Sequence, residues 1–202
     1  MLFGEYRLRA VSAALLQKHG LTDLSGLEIL DVGCGAGRWL RTLAEFGADP
    51  AGLHGLDLLE DRIRQARSFT EKIDYRVADG WDMPFPAGSF DLAFAHTVFS
   101  SLTNPEARRR LAFEMFRVLK PSGGLMIYDF RVSDPRNPHT VGIGRSEMVR
   151  LFPGLALDVR TLTLAPPLSR RLARWPMAVA AGLEWLAPPL RTHALYFLRR
   201  RV

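Results

Sequence analysis

One stretch constrains this chain more than any other: Leu27-Glu-Ile-Leu-Asp-Val-Gly-Cys-Gly-Ala-Gly37. Its first half is a short apolar run rich in branched residues, the composition of a strand buried on both faces. Asp31 sits near its end, glycines follow at 33, 35 and 37, and a helical pattern runs from Arg38 to Phe46. Strand, glycine turn and helix together make a ligand site. Glycine lets backbone approach a ligand closely, and a helix start offers free N–H groups. The spacing separates cofactor classes. A dinucleotide loop of the form G-x-G-x-x-G needs a glycine at position 38, where the chain has Arg38. The third glycine falls at 37 instead.

The pattern repeats downstream. Short apolar runs at 52–56, 73–78, 90–95 and 125–130 read as further strands. Helical patterns at 7–18, 60–69 and 105–119 alternate with them, the last opened by Pro105. Pro121 to Gly124 reads as a turn. Strands alternating with helices imply βαβ units and a parallel sheet. Beyond residue 130 the rhythm changes to a short helix at 146–152 and two strands at 157–164 and 193–198. The predicted fold is a doubly wound, Rossmann-like α/β sheet of seven strands whose last pair forms an antiparallel edge. One domain of residues 1–202 is expected, with a cofactor core at about 25–130 and an acceptor-side part at about 131–202.

Ligands of such sheets bind beyond the carboxyl ends of the strands. The polar residues fall there: Asp31 by the first strand, Asp57 at the second, Asp79 after the third, His96 after the fourth, and Tyr128 with Asp129 at the fifth. In this setting Ile29 to Gly37 resembles the glycine motif of class I S-adenosylmethionine-dependent methyltransferases. Asp79-Gly80, Met83-Pro-Phe-Pro86, Ser89-Phe-Asp91 and Arg117-Val-Leu-Lys-Pro-Ser-Gly-Gly124 resemble that family's later segments, in order and spacing. The type 11, ubiquinone-methylase-like subgroup is the most similar. The resemblance implies S-adenosylmethionine as cofactor and gives roles. Asp31 orients the methionine amino group. Gly33, Gly35 and Gly37 line the methionine and ribose. Asp57 accepts from both ribose hydroxyls, a task suited to an acceptor-only carboxylate. Asp79 accepts from the adenine amino group, Gly80 offers its N–H, Leu58 packs on the adenine, and Ala95 and His96 close the other side.

Methyl transfer from a sulfonium mainly demands alignment and exclusion of water, so a base is needed only for a protonated nucleophile. His96 and Asp129 are the candidate catalytic groups. Packing or capping is the alternative role for each. Tyr128 and Phe130 are read as alternatives for facing the site. Pyrimidine-carbon methylation needs a thiolate, but the single cysteine, Cys34, lies inside the glycine loop. The Asn/Asp-Pro-Pro-aromatic motif of amino-methylating DNA enzymes is replaced by His96-Thr-Val-Phe99. No acidic cluster suggests a metal.

The acceptor is read as a small or lipid-like molecule. Residues 159–202 carry eight arginines and one acid, against a net +6 for the whole chain. Within them, 166–190 is bracketed by prolines and combines arginines with Trp175 and Trp185, as interfacial helices do. Peripheral membrane contact through 166–190 is therefore expected, with packing on the sheet as the alternative. A nucleic-acid methyltransferase or a non-catalytic S-adenosylmethionine-binding scaffold are the rival functions. Scattered arginines without an aromatic stacking platform make nucleic acid the weaker partner. The first residues do not read as a signal peptide, and a cytoplasmic location is expected, with a position at the membrane periphery as its variant.

Overall fold

The computed structural model describes residues 3–134, 137–164 and 191–200. A single sheet contains β1 (Ile29–Val32), β2 (Leu53–Asp57), β3 (Asp74–Val77), β4 (Phe90–His96), β5 (Leu119–Phe130), β6 (Leu155–Leu164) and β7 (Arg191–Arg200). The helices are α1 (Phe3–Lys18), α2 (Arg38–Glu45), α3 (Glu60–Phe69), α4 (Pro105–Val118) and α5 (Arg145–Leu151). Strand order is β3-β2-β1-β4-β5-β7-β6. The first five strands are parallel, and β7 runs antiparallel to both β5 and β6. The expected doubly wound sheet with an antiparallel edge is thus observed.

Each face is covered by its own helix layer. Leu15 and Leu16 of α1, Leu40 and Leu43 of α2, and Ile63 and Ala66 of α3 pack with Phe94 and Met126 on one side. Leu111 and Met115 of α4 and Met148 of α5 pack with Ala93 and Ile127 on the other. All four residues of β1 are buried, which explains why its sequence is apolar without alternation. Local chemistry sets the helix starts. Pro105 opens α4, and the Asn104 side chain accepts the Glu106 N–H at 2.9 Å. Gly37 caps α2 in the left-handed region, φ 68°.

One boundary differs from the sequence reading. Residues 121–124 belong to β5 rather than to a turn before it. The β4–β5 register slips there: Phe90 faces Leu119, but Leu92 faces Gly124. The surplus residues form a bulge, with Lys120 Nζ held 2.7 Å from the Asp91 carboxylate. No helix among the described residues is long and apolar enough to cross a membrane. The 166–190 stretch with Trp175 and Trp185 lies outside the described residues.

From β1 the chain turns outward to β2, whereas β4 lies on the opposite side of β1. The crevice at this switch opens above the carboxyl ends of β1 and β4.

Candidate functional site

The glycine loop occupies that crevice. The N–H groups of Gly33 and Cys34 both donate to the Leu56 carbonyl, at 2.7 and 3.0 Å, and Gly37 N–H donates to the Cys34 carbonyl at 2.9 Å. Gly33, Gly35 and Gly37 have φ of 70°, 53° and 68°. Their spaces differ. A Cβ on Gly33 would come within 2.6 Å of Val98 Cγ2, and one on Gly37 would strike the Tyr75 ring. Beside Gly35 nothing lies within 4 Å, so a ligand can reach the backbone there.

Asp57 ties the loop to β2. Its Oδ2 accepts the Gly35 N–H at 2.8 Å and its Oδ1 the Leu59 N–H at 2.9 Å. Each oxygen retains a second lone pair for an outside donor. Asp31 is 2% exposed, and burial raises its pKa above the usual carboxylate range although His96 pulls it down. His96 Nδ1 lies 3.6 Å from Asp31 Oδ1, and its ring lies 4.6 Å from that of Trp39. Asp31 Oδ1, both His96 ring nitrogens and Trp39 Nε1 are buried without a hydrogen-bond partner. Orphaned polar atoms are costly, and several converging on one crevice suit a polar ligand.

The rim is apolar. Leu58 is 67% and Trp81 43% exposed, beyond β2 and β3. Asp79 is exposed, and its Oδ1 accepts the Trp81 N–H at 3.0 Å. Gly80 sits where a Cβ would press on Leu111. Ala95 is fully buried in the core on the α4 side, so it lies beneath the crevice and not on its surface.

The two candidate catalytic groups lie apart. Strand alternation directs Asp129 to the α4 side, away from His96. Asp129 is fully buried, and its carboxylate accepts the N–H groups of Ser100 at 3.1 Å and Phe130 at 2.8 Å. Burial raises its pKa. The geometry gives it the capping role weighed in the sequence. Tyr128 and Phe130 are not alternatives: two residues apart on a strand, they share a face. Both rings contact His193, at centroid distances of 5.1 and 4.0 Å. His193 is lowered to about 4 by burial, so this aromatic row is uncharged at neutral pH. His193 and Trp39 escaped the sequence reading. β7 is buried without alternation from His193 to Leu198, so no face pattern in its sequence marks His193. Cys34 is buried and its thiol is pushed far up, first by burial, which makes it a poor nucleophile. Among the described residues no group of three or more His, Cys, Asp or Glu side chains could hold a metal ion.

These features fit the cofactor that the resemblance implies. The orphaned Asp31 oxygen can take an ammonium group, the open side of Gly35 and the Asp57 lone pairs can take a ribose, and the Leu58–Trp81 rim can cover a flat heterocycle.

Comparison with known proteins agrees. Residues 29–123 match the protein-family model described as methyltransferase domain. The sterol 24-C-methyltransferase of Yarrowia lipolytica is 33% identical over 113 residues, covering 54% of this chain and 29% of that protein. The demethylmenaquinone methyltransferase of Lactococcus lactis is 34% identical over 106 residues, covering 50% and 41%. The chain therefore spans under half the length of these curated relatives. A crystal structure of an S-adenosylmethionine-dependent methyltransferase from Mesorhizobium loti has a similar fold, with TM-score 0.67, 21% identity and coverage of 91% and 95%.

Proposed function

Because this chain belongs to the class I methyltransferase family, we propose that it transfers a methyl group from S-adenosylmethionine to a small, lipid-like acceptor. The observation that carries this reading is the orphaned Asp31 carboxylate beside a glycine loop pinned by Asp57. The cofactor supplies an electrophilic methyl on a sulfonium, so this chain's residues need only bind, align and exclude water. Asp31 holds the amino group, Asp57 the ribose, and Asp79 with Gly80 the adenine edge. Gly33 and Gly37 keep the loop against Val98 and Tyr75. His96, on the crevice side of β4, is the group placed to take a proton if the acceptor carries one.

The lipid-like acceptor is supported by two relatives named for a sterol and a menaquinone precursor. The uncharged row Tyr128, His193 and Phe130, on the same face as His96, is in keeping with it. Residues 166–190, with their arginines and tryptophans, are proposed to shape the acceptor entrance and touch a lipid surface. Incubation with isotopically labelled S-adenosylmethionine and a panel of sterols and demethylated quinones tests the reading. Label entering the lipid fraction supports it. Cofactor binding with label entering nucleic acid, or nothing, overturns the acceptor class.

A further inference from the structure

Among the described residues, two that are not glycine occupy the left-handed region: Thr97 at φ 56° and Thr163 at φ 64°. Branching at Cβ makes threonine poorly suited to that conformation. Such strain persists only where surrounding contacts impose it, and it gathers at ligand sites. Both threonines bond to the same residue. Thr97 N–H donates to the Tyr128 carbonyl at 2.7 Å, and Thr163 Oγ1 lies 2.8 Å from the Tyr128 hydroxyl. One grip falls on the backbone of Tyr128 and the other on the tip of its side chain.

What these grips hold lies at the cofactor loop. Thr97 directly follows His96, whose ring faces Asp31, and its own hydroxyl donates to the His96 carbonyl at 2.7 Å. Val98 comes next and fills the space that Gly33 leaves by lacking a side chain. The Thr97 side chain is exposed, so core packing does not demand a threonine there. A glycine would adopt the same φ without steric cost.

We propose that Thr97, Tyr128 and Thr163 form a strained clamp that presets the end of β4 over the glycine loop, with Thr97 as a positioning residue for the cofactor site. The clamp runs from the edge strand β6 through the Tyr128 side chain of β5 to the end of β4. It fixes where His96 and Val98 stand before any ligand arrives. The inference rests on the cofactor reading above.

The test needs no acceptor. Calorimetry measures S-adenosylhomocysteine affinity, and scanning calorimetry the melting midpoint, for the wild type and for T97G, T163G and Y128F. T70G is the control, since Thr70 has extended φ of −165° and its hydroxyl accepts only a local N–H from Lys72. The clamp predicts that T97G and T163G melt at or above the wild-type midpoint yet bind about threefold or more weakly. Y128F, which loses the Thr163 grip, should bind more weakly as well. T70G should melt lower and bind normally. Unchanged affinity in T97G and T163G, or affinity and midpoint falling together, overturns the clamp while leaving the cofactor reading intact. A wild-type chain that fails to bind overturns the cofactor reading itself, and the clamp with it.

Discussion

The Nδ1 atom of His96 and the Oδ1 atom of Asp31 stand 3.6 Å apart at the point where β4 and β1 lie side by side, and neither has a hydrogen-bond partner. The distance is short for a charge interaction and too long for a hydrogen bond. A buried carboxylate in this state can take a donor, and the one proposed for it is the amino group of the cofactor. Asp31→Asn removes the charge but keeps the shape. It should weaken S-adenosylmethionine binding by about 1.5–3 kcal/mol, roughly tenfold or more. His96→Asn should leave affinity within about threefold, because the imidazole stands beside the site of that ammonium and need not contact it. Titration calorimetry on the two variants separates these roles. Equal losses would make the pair one binding unit and remove His96 as a base.

Asp57 pins the loop, its oxygens accepting the Gly35 and Leu59 N–H groups, and it is also the group proposed to hold the ribose. Asp57→Ala should therefore reduce both thermal stability and cofactor affinity, each by about 1–3 kcal/mol. Asp57→Asn keeps one acceptor oxygen and should recover most of the stability but little of the affinity. Paired melting curves and binding isotherms check this, and full affinity in either variant would remove Asp57 from the ribose site.

Cys34 should resist iodoacetamide in the folded chain at neutral pH, since burial keeps the thiol protonated. Cys34→Ala should preserve cofactor binding and cost no more than about 1–2 kcal/mol of stability, the scale of a small core truncation. Alkylation as fast as that of free cysteine, or loss of methyl transfer at full cofactor occupancy, would give the thiol a chemical role.

Glu114 predicts part of the acid limb of stability. Its hydrogen bond from Arg117, joined by the Met83 N–H, holds its carboxyl below the usual range. A carboxyl with a lowered folded-state pKa adds stability that is present above its unfolded value, near 4.5, and is lost as pH falls through the folded value. Glu114→Gln should therefore lower stability at pH 7 by about 1–2 kcal/mol and flatten the decline below pH about 5. Urea titrations across pH 3–7, roughly spanning that carboxylate range, measure it. An unchanged acid limb would place the titrating group elsewhere.

The arginines of 166–190 should bind anionic vesicles with strong salt dependence, each contributing about 1 kcal/mol near the surface. Trp175→Ala and Trp185→Ala should alter acceptor KM without changing cofactor affinity. Sedimentation with anionic and neutral vesicles tests the first statement and steady-state kinetics the second. Binding to neither vesicle removes the lipid surface, and unaltered kinetics makes the segment structural.

The sequence by itself determined the strand–glycine–helix order and the acids at the strand ends. Both are written in local composition: branched apolar runs for buried strands, glycines where φ is positive, Pro105 where a helix begins. The candidate cofactor residues are legible for the same reason, since their proposed roles follow from position at a strand's end. Only the tertiary structure decided what those residues face. Asp129 and Tyr128 are adjacent in the chain, yet the pleat sends one to the backbone of Ser100 and the other to His193. Trp39 of α2 meets His96 of β4, and Thr163 reaches Tyr128 across 35 positions of chain. Contacts between distant segments depend on register and crossover, which local composition does not encode. The strain at Thr97 became visible only once β4, β5 and β6 were held together in one sheet.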